Sequence, residues 1–142
     1  MNGNAELLNF VYQNSQMGVE TINQLTGIVE DKDFKQHLES QYREYEKFHS
    51  SAREMLNQKG FEEKGIGAPS KVMTYLMINM QTLADKTPSH ISEMLINGST
   101  MGVIDAIKKL KEYKDAEPKI RNLMDQLLKM EEDNIQQLKK FL

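Results

Sequence analysis

Apolar residues recur along this chain every three or four positions, the spacing of one face of an α-helix, and no stretch shows convincing strand alternation. Glycines and prolines cut that pattern into segments. Asn4 stands where an N-cap belongs and Leu8, Val11, Ser15, Val19, Ile22, Leu25 and Val29 follow on one stripe, which predicts a first helix from Asn4 to about Val29. Asp31 is placed to cap a second helix that carries Phe34, Leu38, Tyr42, Tyr45, His49, Ala52 and Leu56 inward and ends near Gln58. So short a connection makes these two helices antiparallel neighbours. Lys59 to Pro69 holds Gly60, Gly65 and Gly67 and reads as a crossover, with a short helix after it from about Pro69 to Asp85. Thr87-Pro88 is a strong start signal, so a third long helix is expected from Pro88 to about Lys114, with Ser92, Ile96, Ser99, Val103, Ile107 and Leu110 on its stripe. Asp115 is then read as the cap of a last helix in which Ile120, Leu123, Leu127, Met130, Asn134 and Leu138 face inward.

The two halves echo each other. Met17-Gly18-Val19 recurs as Met101-Gly102-Val103, and Asp31 recurs as Asp115 at the same offset. Leu38 matches Leu123 and Glu46 matches Glu131 one residue further on. A repeated helical hairpin is the reading, and a pseudo-twofold relation between its copies would make the second and third long helices parallel. Counting rise from the turns brings Ser15, Glu46, Ser99 and Glu131 to one height, with His49 and Asn134 one turn beyond on the same faces. A polar layer is therefore expected to interrupt an apolar interior.

Composition narrows the classes of function. The 142 residues suit one domain, residues 1–142, and their formal net charge of −3 argues against nucleic-acid binding. Cysteine is absent, which removes disulfides, thiolate metal sites and cysteine nucleophiles, and fits a reducing compartment. With no basic, apolar leader at Met1 to Glu6, no spanning apolar run and a mean hydropathy of −0.61, the expectation is a soluble cytoplasmic protein that does not contact membranes. Phosphate loops, zincin motifs and serine-hydrolase spacings do not occur. The basic run Lys108, Lys109, Lys111 and Lys114 lies at the favourable end of its helix dipole and is read as a solvated face, and His37 and His90 receive no role. Met73, Met77 and Met80 on the short helix are read as gap-filling side chains or as a subunit interface, which predicts a homo-oligomer, with a dimer as its simplest form, or a protein partner.

Glu46-Lys47-Phe48-His49 is a Glu-x-x-His motif at mid-height on the second helix of a hairpin. In that motif and in its helix pattern the chain resembles the ferritin-like superfamily, of the rubrerythrin and bacterioferritin kind, and small bacterial ferritin-like proteins of unassigned activity. The resemblance implies an all-α, up-down-down-up four-helix bundle with a short crossover helix between helices two and three. It also implies a dimetal centre built from a glutamate on each of the first and third helices and a Glu-x-x-His on each of the other two. Here Asn14 or Ser15 stands for the first glutamate, Ser99 for the third-helix one, and Glu131-Glu132-Asp133-Asn134 ends in asparagine. Glu46, His49 and Glu131 remain as candidate metal ligands, with Ser15, Ser99 and Asn134 as the rest of the polar core layer. Two divalent ions need bridging carboxylates to offset their charge, so the site is read as degenerate and no cofactor is expected. The leading reading is a non-catalytic bundle acting through self-association or protein binding, with Glu46 paired to His49 or to a neighbouring lysine and serine hydroxyls completing the network. The alternative is a rubrerythrin-type oxidase or peroxidase that holds iron or manganese on the reduced ligand set.

Overall fold

The computed structural model describes residues 2–64 and 70–142, and among them every regular element is helical. Four long helices, α1 (Gly3–Thr26), α2 (Lys32–Gln58), α4 (Pro88–Glu112) and α5 (Pro118–Leu138), pack as a bundle; the short α3 (Lys71–Gln81) lies between α2 and α4 in sequence, and Lys139–Phe141 adds a 3-10 turn. The stripes read from periodicity form the core. Leu8, Val11, Ile22, Phe34, Leu38, Tyr45, Ile120, Leu123, Leu127 and Met130 are all buried, whereas Val19, Tyr42, Ile96 and Val103 are half-buried and Ile107 is exposed.

The ends of the helices show how local chemistry sets the boundaries. Asp31 caps α2 by accepting from the Phe34 amide at 2.9 Å, and Thr87 caps α4 by accepting from His90, with Pro88 in the first turn. At the other end of α2, Gly60 takes φ +71°. The Phe61 amide then bonds the Leu56 carbonyl and the Gly60 amide bonds that of Asn57, which is a Schellman closure requiring the left-handed residue glycine supplies. Ser70 caps α3 by accepting from Met73, and that helix stops at Gln81, short of the expected Asp85. Gly65, Gly67 and Pro69, assigned from sequence to the crossover, lie outside the described residues.

Two expected caps differ. Asn2, not Asn4, caps α1, because its side chain accepts from the Asn4 and Ala5 amides. Asn4 lies in the first turn and instead accepts from the Glu117 amide at 2.8 Å, serving the start of α5. Asp115 is exposed in the preceding turn, and Glu117 occupies the N-cap of α5 without a side-chain cap bond of its own. Lys59, just past α2, pairs with Glu117 at 2.7 Å, and Arg121 donates to the Leu110 and Tyr113 carbonyls that α4 leaves open. The start of α1, the end of α2, the end of α4 and the start of α5 therefore meet at one end of the bundle. At the opposite end Phe34 packs on Phe141 with ring centroids 5.0 Å apart.

Asn9 explains a further polar residue in the interior. Only 6% exposed, it donates to the Glu62 carbonyl at 3.3 Å and accepts from the Lys64 amide at 2.8 Å, while Gln13 donates to the Lys64 carbonyl. The stretch leaving α2 is thereby fastened along α1, its backbone groups satisfied by side chains in place of a helix ladder.

Candidate functional site

The polar layer exists, and its centre is a tyrosine–carboxylate pair. Tyr45 on α2 donates its hydroxyl to Glu131 Oε1 on α5 at 2.5 Å, with the two residues 5% and 3% exposed. The Ser99 hydroxyl on α4 is hydrogen-bonded at this pair, and Gln41, one turn before Tyr45, bonds the phenol oxygen. Burial pushes the Glu131 carboxyl up from its ordinary 4.5 to about 7; hydrogen bonds from Tyr45 and Ser99 hold it back, and the charge of Glu44 adds to the rise. Burial, then the Glu131 charge, raises the Tyr45 phenol well above its usual range. Tyr45 thus stays a donor, and Glu131 sits near the midpoint between acid and carboxylate at neutral pH.

Gly18 makes this placement sterically workable. A Cβ on Gly18 would lie 2.6 Å from three ring atoms of Tyr45, so the ring lies directly on the α1 backbone. Gly102, its counterpart in the repeat, meets nothing closer than Asn14 at 3.8 Å. The two repeated glycines therefore have different surroundings.

A second polar group lies toward the start of α1. His49 stacks on Tyr12 with ring centroids 4.4 Å apart and an interplanar angle of 26°. Its Nδ1 lies 3.3 Å from the Tyr12 carbonyl and 3.5 Å from Ser15 Oγ. Ser15 itself donates to the Val11 carbonyl at 2.6 Å, which satisfies a buried hydroxyl within its own helix. Asn134 is buried and its Nδ2 contacts Met130 Sδ at 2.8 Å.

Of the residues singled out from sequence, Ser15, Ser99, Glu131 and Asn134 are buried in the layer, and His49 is half-buried at its edge. Glu46 is exposed. The buried face of α2 is set by Phe34, Leu38, Gln41, Tyr45, Ala52 and Leu56, and the residue after Tyr45 is rotated about 100° away from it. Glu46 and Glu131 correspond in the repeat but not in environment, and the imidazole of His49 faces Ser15 and Tyr12. Among the described residues no group of three or more histidines, aspartates or glutamates is arranged to hold a metal ion. Tyr45 and Gln41 were missed as members of the layer. One signal was available, since a carboxylate on a core stripe needs a donor at its own height, and Tyr45 was the buried hydroxyl beside Glu46 in sequence.

Outside the core, α3 buries Val72 and Leu76 toward the bundle and leaves Met77 45% and Ile78 55% exposed. Met73 and Met80 are half-buried beside them. No described helix is long and apolar enough to cross a membrane.

The fold and this layer define the class: an all-helical bundle of four long helices and one short one, with a buried tyrosine–carboxylate pair at its centre. No family model matches the chain, and neither a curated relative nor a solved structure matches it.

Proposed function

We propose that the protein is a non-catalytic bundle of ferritin-like, up-down-down-up topology that acts by self-association through the outer face of α3. The topology draws support from the four helix ends that share one end of the bundle around Glu117. The observation that carries the function is the pair of large apolar side chains, Met77 and Ile78, held in solvent next to each other on a helix already anchored by Val72 and Leu76. A metal oxidase would need Glu46, His49 and Glu131 as one ligand set. Against it stand the exposed position of Glu46 and the engagement of Glu131 by the Tyr45 hydroxyl. Sedimentation equilibrium tests the proposal: the wild-type chain should sediment as a homodimer and Met77→Asp as a monomer, because an unpaired carboxylate is costly in an apolar contact. A monomeric wild type at high micromolar concentration refutes it.

A further inference from the structure

Gln41 holds an acceptor that the tyrosine–carboxylate pair leaves unused. The residue is 1% exposed, and while its side chain bonds Tyr45, its Oε1 has no hydrogen-bond partner. That side chain lines a cavity of about 30 Å³, shared with Tyr45, Ser99, Glu131 and Asn14. A water needs roughly 10 to 15 Å³ of such space and at least two polar partners. The space therefore suits a guest one or two heavy atoms in size.

The lining also sets the chemistry of the guest. Tyr45 commits its hydrogen to Glu131 and Gln41 Oε1 is left as a bare acceptor, while Asn14 and Thr21 on α1 bring groups that can donate as well as accept. Of the elements packed on the cavity, α1 lines it with no ionisable side chain, α3 with Val72 and Leu76, and α4 with Leu95, Gly98 and Ser99. The titratable groups among these lining residues are Tyr45 on α2 and Glu131 on α5, with the charge of Glu44 acting on Glu131 from α2. Among the described residues no cationic side chain lines the cavity to neutralise an ionised Glu131. When Glu131 is protonated, its own O–H is a donor available to a neighbouring acceptor. When it is ionised, its oxygens accept only, and a guest that donates twice can serve both the carboxylate and Gln41 Oε1.

We propose that this cavity is a buried hydration site, in which water donates to Gln41 Oε1 and to the Glu131 carboxylate and is bound when that carboxylate is ionised. The inner face of α3 roofs the site. Leu76 seats close to α4 because Gly98 has no side chain; a Cβ there would come within 3.1 Å of Leu76 Cδ2. This inference is independent of self-association, which concerns the outer face of the same helix.

The test is nuclear Overhauser spectroscopy on the isotope-labelled full chain, reading contacts from water to the methyl groups of Leu76 and Leu95. Wild type should show contacts from long-lived water near pH 9 that weaken severalfold near pH 5, as the carboxylate takes up its proton. Glu131→Gln should lack them at both pH values, because it has no carboxylate to accept from the water. Gln41→Met, which removes the orphan acceptor with a side chain of similar length, should lose them as well and serves if the first variant fails to fold. Absence of the contacts in wild type at high pH overturns the proposal. So does their persistence at full strength in the variants, since the signal would then be relayed from the Tyr45 and Ser99 hydroxyls.

Discussion

Replacing Glu131 by glutamine should make the protein more stable above neutral pH, although it removes a buried, hydrogen-bonded side chain from the middle of the core. The carboxyl titrates at about 7 in the fold against an ordinary 4.5, so between those values the folded chain holds a proton that the unfolded chain has released. Stability contributed by this group is complete below about pH 4.5, falls as pH rises and levels off above about 7. At 1.36 kcal/mol per pH unit the difference is about 3 kcal/mol. Glutamine keeps the shape and the acceptor for the Tyr45 hydroxyl and carries no charge at any pH. Urea denaturation near pH 5, 7 and 9 would measure the outcome. The variant should gain little over wild type at the lowest pH and up to about 3 kcal/mol at the highest, with a flatter pH dependence throughout. A variant less stable than wild type at pH 9, or a difference that does not change with pH, would refute the assignment of Glu131 as an uncompensated buried acid.

Leu123→Ala should cost about 2 to 5 kcal/mol in the same assay, since the side chain is 8% exposed on the α5 core stripe; a change below measurement error would mean that this stripe is not packed. Gly18→Ala should destabilise by roughly 1 to 3 kcal/mol despite the higher helix propensity of alanine, because the new methyl meets a buried aromatic ring, and a neutral result would show that Tyr45 can shift freely. Iron, manganese and zinc should leave the melting temperature of the wild type unchanged. A rise with any of them that disappears in His49→Ala and in Glu131→Ala would restore the metal reading.

Much of this architecture was legible because period and capping are local properties. The stripes of α2 and α5, the cap at Asp31 and the start at Thr87-Pro88 all follow from residues within one or two turns of each other. The height of the polar layer was legible too, since helical rise is constant. Rotation about the helix axis was less so. Glu46 and Tyr45 are adjacent in sequence, and whether the carboxylate or the phenol points inward depends on how α2 is turned against α5, which the summed burial of its whole stripe decides. The repeat then misled, because Glu46 corresponds to a buried Glu131 whose environment it does not share. Asn4 and Asp115 fail as local caps for a related reason: the amide that Asn4 serves belongs to a helix start more than a hundred residues away.

That last contact joins two distant parts of the chain: Asn4 is synthesised more than a hundred residues before Glu117, yet the amide that opens α5 finds its acceptor on the first turn of α1. The second hairpin, for all its likeness to the first, cannot complete its own corner. A fragment beginning at α4 would leave that amide to solvent, and Lys59, which neutralises the Glu117 carboxylate beside it, would be missing as well.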